Sequence, residues 1–536
     1  MCVKIVIIGG VAGGATAATR IRRLNEKTEI IIFERSNYIS YANCGLPYYI
    51  GDEIKDKKTL TLQTPLSLWN RYRIDVRVSH EVLDINSNQK KVRVKNLING
   101  DEFEESYDKL LISPGAKPVI LPFLKDVKNV FTLRTVEDTF KIKEYISNNQ
   151  PKSAVIVGGG FIGVEMAENL VNLGIDVTII QKDNHLLGNI DRDIASFIHH
   201  HIRSKGVKIL LNTDIKDVML NYDMILVSIG VAPDNSLAIK AGLELGYKGS
   251  IKVNGKMETS IKDIYAVGDA VEITHYVLNE KRIISLAAPA NKQARVAADN
   301  ICGIENEYKG SLASSIIKVF DMTVATTGIK EKEAIEANLN YEKVILSPAS
   351  HATYYPGATT MTLKVIYEKE TLKILGAQAV GYDGVDKRID IIATAIFAGM
   401  KATELKDLDL AYAPPYSSAK DPVNVAGFII DNIESEIVEQ FYYEDIEELR
   451  KKDDAILLDT RTKNEYNLGF AEGFINIPLD ELRDKISLLD KNKKIYVMCQ
   501  SGLRSYLATR ILKQNGFKVY NFAGGYKLYG SVFNDR

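Results

Sequence analysis

Residues 5–20 read IVIIGGVAGGATAATR, and this stretch decides the fold class. A β-branched apolar run over residues 3–8 stops at glycines, and a helical stretch rich in Ala and Arg follows over residues 15–24. Gly9, Gly13 and Gly14 fall between them, where bare backbone lets a pyrophosphate come close and the first helical N–H groups face the anion. Val11 occupies the middle glycine position of the usual fingerprint, which weakens the motif taken alone. Glu34 restores it. Its carboxylate ends the next strand, residues 30–34, 20 positions after Gly14, where it accepts hydrogen bonds from ribose hydroxyls. The alternative is a glycine-rich turn with no ligand, but strand, turn, helix and acid agree on half of a dinucleotide-binding α/β fold.

The same order recurs from Ala154: strand AVIVGGG, helix FIGVEMAENLVNLG, strand IDVTII. Here Gly158, Gly160 and Gly163 form the full fingerprint. Two such units imply two bound dinucleotides, or one cofactor and one cosubstrate. The second unit carries Gln181 and Lys182 where an acid is usual for NADH; a lysine there attracts the 2′-phosphate of NADPH. Read as a solvated surface lysine, Lys182 leaves both nucleotides in use.

Residues 75–112 alternate as strands and close on KLLIS, before Pro114 and Gly115. The segment IYAVGDAV, residues 264–271, has the same strand-then-glycine character far downstream, so the first domain is expected to be discontinuous, 1–112 with 240–315, around a second at 113–239. Residues 316–435 turn to a β meander plus helix. After a polar, acidic stretch, residues 443–536 have the size and the strand and helix order of a small separate domain.

A chain of 536 residues exceeds what one core usually supports. Lys plus Arg total 68 against 69 Asp plus Glu, with no long run of like charge, so neither nucleic acid nor an acidic membrane surface is expected as a partner. No apolar run reaches the ~18 residues of a membrane span, and the first apolar run reads as a buried strand rather than a leader. Four scattered cysteines, Cys2, Cys44, Cys302 and Cys499, suit a reducing cytosol and supply neither a disulfide framework nor a metal site.

Cys44 lies in SYANCGLPYYIG, just past the first nucleotide half, with Gly45 and Pro47 fixing the backbone. So placed it faces a flavin held by that half and reacts as a thiolate, favoured by a helix N-terminus or by the flavin itself; the plainer reading is a buried structural cysteine. Cys499 ends the strand IYVMC and opens a loop leading through Gly502 and Ser505 into a helix. The N–H groups of that loop and Arg504 form a cradle for the anionic outer sulfur of a persulfide. The plainer reading is a silent domain. Cys2 and Cys302 have no motif around them and read as bystanders.

ANCGLPY, the two fingerprints, YAVGDA and YAPPYSSAKDPVN together resemble the single-cysteine, coenzyme A-disulfide reductase-like branch of the pyridine nucleotide-disulfide oxidoreductases, over residues 1 to about 440. LLDTRTKNEYNLGF, GFINIPL, CQSGLRS and FAGGYKLY resemble a rhodanese domain over residues 443–536. The resemblance implies an α/β chain with two Rossmann-like dinucleotide-binding domains, an α+β dimerisation domain at 316–435 and a C-terminal α/β rhodanese domain. FAD goes to the first unit, NADPH or NADH to the second, and the third makes a homodimer.

By position, the resemblance assigns Asp269 to the FAD ribityl chain, and Arg35, Ser113, Gly115, Arg134, Gly230 and Gly268 to cofactor contact. It assigns Tyr416, with Tyr354, to the partner subunit's cysteine, and Thr16, Arg20, Arg23, Ser40, Asn43 and Arg71 to coenzyme A. Arginines on the first helix suit coenzyme A phosphates; they suit a solvated helix face equally well. Two-cysteine relatives carry a second cysteine where this chain has Tyr49, so Cys44 must pair with something brought in: a substrate thiol, a sulfane sulfur or an oxygen. Peroxidase-like and some oxidase-like relatives carry a histidine where this chain has Ala12. The implied activity is NAD(P)H-driven reduction of coenzyme A disulfide, coenzyme A persulfide or polysulfide. An NADH oxidase or peroxidase, or a sulfurtransferase with a regulatory flavoprotein module, are the alternatives. Phe470 stands where rhodaneses commonly have histidine.

Overall fold

The computed structural model describes residues 3–125, 127–218 and 221–535; Cys2 lies outside them. The chain divides into two compact units, residues 1–183 with 206–313, and residues 184–205 with 314–536.

The first unit holds two five-stranded parallel sheets. In one, Ile264–Ala266, Lys109–Ile112, Lys4–Ile8, Glu29–Glu34 and Asp75–Val78 lie side by side in that order. In the other the order is Lys208–Leu210, Asp176–Ile180, Ser153–Val157, Met224–Val227 and Val130–Phe131. Parallel strands covered on both faces need unbroken apolar runs, and the central strands supply them: Val6, Ile7, Val155 and Ile156 are fully buried. Both glycine turns therefore sit at the C-terminal ends of central strands, where such sheets bind ligands.

The second unit begins with an antiparallel sheet in the order Ser315–Val319, Met322–Gly328, Ile374–Gly381, Thr362–Glu368, Tyr341–Leu346. Helix Arg192–Ser204 joins this unit although its neighbours in sequence belong to the other. Buried charge explains why. The fully buried Lys364 ammonium meets Asp191 at 2.9 Å and Asp193 at 2.9 Å from that segment, and Glu331 at 2.7 Å. Helix Pro422–Glu434 starts at Asp421, whose carboxylate accepts from Val423 N, from Ser417 Oγ at 2.7 Å and from the buried Arg388 at 2.9 Å. Much of the long motif YAPPYSSAKDPVN is thus a helix cap with a buried ion pair, and Tyr416 projects from it, 73% exposed.

The C-terminal block is a parallel sheet in the order Glu439–Phe441, Val519–Phe522, Lys494–Met498, Ala455–Asp459, Ile475–Asn476. It docks on the rest of its unit through a buried apolar cluster of Ile345, Ala523, Leu528 and Val532 and through polar contacts: Lys343 to Glu444 at 2.9 Å, and His199 and Arg203 to Asp535 at 2.7 and 2.6 Å. No helix among the described residues is long and apolar enough to cross a membrane.

Candidate active sites

The turn after Lys4–Ile8 leaves no room for side chains. A Cβ on Gly14 would stand 1.8 Å from the Gly9 carbonyl oxygen, and one on Gly9 would stand 2.1 Å from that of Ser113. Gly9 also needs its φ of +93°. Glu34, at the end of the next strand, accepts from Gly10 N at 2.7 Å and Ser36 N at 2.8 Å; burial pushes its carboxyl pKa up against those hydrogen bonds. A cleft opens here, lined by Gly9, Gly13, Glu34, Asn43, Arg134 and Asp269 among others. Ser113, Gly115 and Gly268 also line it, as does Arg35, which pairs with Asp234 at 2.9 Å. Arg134 and Asp269 are joined at 2.5 Å. Asn43 Oδ1 is buried in this wall with no partner among the described residues. A glycine-floored cleft with a ribose-type carboxylate, an arginine and an unmet acceptor fits FAD.

Cys44 sits in the turn Asn43–Gly45 ahead of the short helix Leu46–Ile50, and its thiol is exposed. The expectation is a thiolate favoured by a helix N-terminus or by the flavin, and the protein's own charges oppose it. Desolvation raises the thiol pKa, the nearby Glu165 and Asp269 carboxylates raise it too, and only Arg134 lowers it. Helix Leu46–Ile50 lies against helix Phe161–Asn172, and Tyr48 Oη donates to Glu165 Oε1 at 3.4 Å. Burial holds Glu165 at about 7, so its charge changes in the neutral range. Motif reading missed Glu165 although it lies inside FIGVEMAENL, because nothing local says it turns toward position 44. In Glu165→Gln the Cys44 thiol should ionise at lower pH, read as an earlier rise in iodoacetamide labelling of the Cys44 peptide by mass spectrometry.

The residues expected to meet coenzyme A fare unequally. Arg23 and Arg71 are exposed. Arg20 instead pairs with Asp299 at 2.8 Å, and Thr16 donates to Asn291 Oδ1. Ser40 holds a φ of +48° and donates its backbone N–H to Gly10 O at 2.9 Å. Arg22, which motif reading passed over, is buried against backbone carbonyls of Tyr72, Arg73, Asn25 and Glu26.

The second turn repeats the first. Gly158 has φ +101°, a Cβ on Gly163 would stand 2.1 Å from Gly158 O, and open space lies before Gly160 and Gly230. Gln181 Oε1 accepts from Gly159 N at 2.8 Å, the same bond that Glu34 takes from Gly10. A neutral amide thus replaces the ribose carboxylate, while Lys182 stands 82% exposed and 3.8 Å from Asp214. This turn fits a nicotinamide dinucleotide.

In the second unit, Tyr354 and Tyr416 are exposed, and the Tyr354 hydroxyl meets that of Tyr412 at 2.8 Å. Cys499 is buried at the end of Lys494–Met498, and Gly502 N donates to its Sγ at 3.1 Å. The expected cradle is only partly present: Arg504 is held bidentate by Glu465 at 2.6 and 2.7 Å, which drives that carboxyl down to about 2. Arg461 lies buried against Asp459 at 2.8 Å with Tyr526 stacked at 3.7 Å; both ion-pair partners stand inside LLDTR. Phe470 stacks on Tyr466 at 5.0 Å and is 57% exposed. Cys302 is a half-buried thiol whose pKa burial raises.

Residues 3–294 match the family described as pyridine nucleotide-disulphide oxidoreductase, residues 314–422 its dimerisation domain, and residues 443–531 the rhodanese-like domain. Coenzyme A disulfide reductase of Staphylococcus aureus is 38% identical over 437 residues, spanning 79% of this chain and 99% of that protein. The structure of reduced Bacillus anthracis CoADR-RHD superposes with a TM-score of 0.97 at 46% identity, over 100% of this chain and 99% of that one. The NAD-dependent persulfide reductase from A. fulgidus follows at 0.92 and 37%, over 98% and 100%. The chain therefore belongs to the pyridine nucleotide-disulphide oxidoreductase family, with a rhodanese-like domain at its C-terminal end.

Proposed function

We propose that this protein is an FAD-dependent reductase that uses NADPH or NADH to cleave coenzyme A disulfide, coenzyme A persulfide or polysulfide through Cys44. The observation that carries the reading is the Cys44 thiol, the one exposed thiol among the described residues, directly after Asn43 of the cleft wall, with Tyr49 where a second cysteine would be needed for an internal disulfide. The activities named for the relatives above support it.

The Cys44 thiolate attacks the coenzyme A sulfur, forming a mixed disulfide and releasing coenzyme A thiolate from the disulfide or hydrosulfide from the persulfide. Bound FAD supplies the two-electron link between nicotinamide and sulfur. Two electrons then break the mixed disulfide, returning Cys44 as thiolate and freeing coenzyme A. Glu34, Arg35, Ser113, Gly115, Arg134, Gly268 and Asp269 hold the flavin nucleotide; Gly158, Gly160, Gly163, Gln181, Lys182 and Gly230 hold the nicotinamide nucleotide. Arg23 and Arg71 take coenzyme A phosphates, with Ser40 and Asn43 beside the reacting end. In a homodimer formed by the third domain, Tyr354 and Tyr416 approach the mixed disulfide of the other subunit. Cys499 loads sulfane sulfur onto the carrier thiol.

Oxygen reduction is disfavoured by Ala12. NADPH oxidation followed side by side with coenzyme A disulfide, coenzyme A persulfide and oxygen tests the reading. Turnover with the sulfur substrates well above the oxygen rate is expected, and oxygen uptake matching all NADPH loss would overturn it. Lys182→Glu should lower kcat/KM for NADPH about 10-fold, the worth of one lost charge-assisted contact, while steady-state rates with NADH stay within about 2-fold.

A further inference from the structure

The second unit contains a cavity of about 530 Å³ lined by helix Arg192–Ser204, the antiparallel sheet and helix Gly525–Phe533. Its polar wall includes Lys527, His200, His201, Thr360, Tyr382 and Asn534, and no Asp or Glu lines it among the described residues. Acids that lie near are already engaged: Asp321 meets His201 at 2.8 Å and Lys205 at 2.7 Å, and Asp535 is held by His199 and Arg203. The Lys527 ammonium has no carboxylate or hydrogen-bond acceptor among the described residues; the Phe197 ring, 5.7 Å away, is what it faces. Burial pushes its pKa down to about 8. A partly buried cation without a counter-charge is costly, and an anionic ligand relieves that cost.

We propose that this cavity is a binding site for a tetrahedral oxyanion, free or carried on a small molecule, with Lys527 as its charged anchor. Hydroxyl, imidazole and amide groups line the same cavity with no carboxylate among them to repel the ligand, and the volume exceeds what a bare oxyanion fills. The site also touches the sulfur-transfer loop. Lys527 N donates to Gln500 O at 3.1 Å, and Tyr526 N to Cys499 O at 2.7 Å, so the anchor residue of the ligand is also a backbone support of the loop that presents Cys499. The inference does not rest on the reductase reading, since it concerns binding alone.

The test is isothermal titration of the full-length, FAD-saturated enzyme with inorganic phosphate, sulfate and coenzyme A in turn. At least one should bind saturably, coenzyme A as an equivalent beyond that of the first unit. Lys527→Gln should weaken that binding at least about 10-fold, as for a lost charge-assisted hydrogen bond, while Lys527→Arg retains it. Thr360→Val, on another wall, should weaken the same ligand and covers the case in which Lys527→Gln fails to fold. Phosphate or sulfate binding identifies a free ion, and a Lys527-dependent coenzyme A equivalent identifies a carried phosphate. Absence of saturable binding by all three, or affinity indifferent to both Lys527→Gln and Thr360→Val, overturns the proposal.

Discussion

Cys44→Ser is expected to cut NADPH oxidation by coenzyme A disulfide and by polysulfide on the order of 10³-fold or more, the scale of losing a covalent nucleophile. Serine keeps the size of the side chain but cannot form a disulfide, so no mixed disulfide links substrate to flavin. Bleaching of the flavin by NADPH, read by stopped flow, should survive, since the glycine turn at Gly158–Gly163, proposed to hold the nicotinamide nucleotide, is untouched. Sulfur-dependent turnover at the wild-type rate in this variant would remove the basis of the proposed chemistry. Thiosulfate-to-cyanide transfer at Cys499 should also survive, because that loop needs no thiol from the first unit.

Lys364→Met is expected to cost the second unit about 3–5 kcal/mol, as removal of one partner of a buried ion pair does. Its ammonium is fully buried among Asp191, Asp193 and Glu331. Without it three carboxylates face one another out of water, with Lys343, at 2.6 Å from Glu331, the nearby cation. The Glu331 pKa is depressed to about 2 despite its burial, because Lys364 and Lys343 favour the charged form. A depressed carboxylate contributes stability that is present above its unfolded pKa of about 4.3 and lost as pH falls through its folded pKa. The variant loses that contribution, so its deficit should be largest at neutral pH. It should shrink below about pH 5, where the unpaired carboxylates take up protons. A fall in Tm on the order of 10 °C at pH 7, narrowing at pH 4.5, is the calorimetric result that checks it. An unchanged Tm at pH 7 would show that the cluster does not hold the helix Arg192–Ser204 in this unit.

The glycine turns at Gly9–Gly14 and Gly158–Gly163, with Glu34 and Gln181 behind them, were legible because their requirements are local. A strand must end, a backbone must pass within a Cβ of another, and a helix must begin, all within about 30 contiguous residues. Cys44 and Cys499 were legible for the same reason, each standing in a turn whose neighbours specify it. The commitments of individual side chains were not. Arg20 pairs with Asp299, 279 residues later, and Arg504 with Glu465, and no local motif announces either pair. Glu165 looks like any helical acid until helix Leu46–Ile50 lies against it.

Sequence alone therefore determined the nucleotide turns, the two sulfur-bearing loops and the family, since backbone sterics act over short stretches of chain. Only the tertiary structure decided which charges are spent on one another and which, like Lys527, are left facing a cavity. Coulombic and desolvation terms depend on distance and burial in space, and separation along the chain carries no information about either.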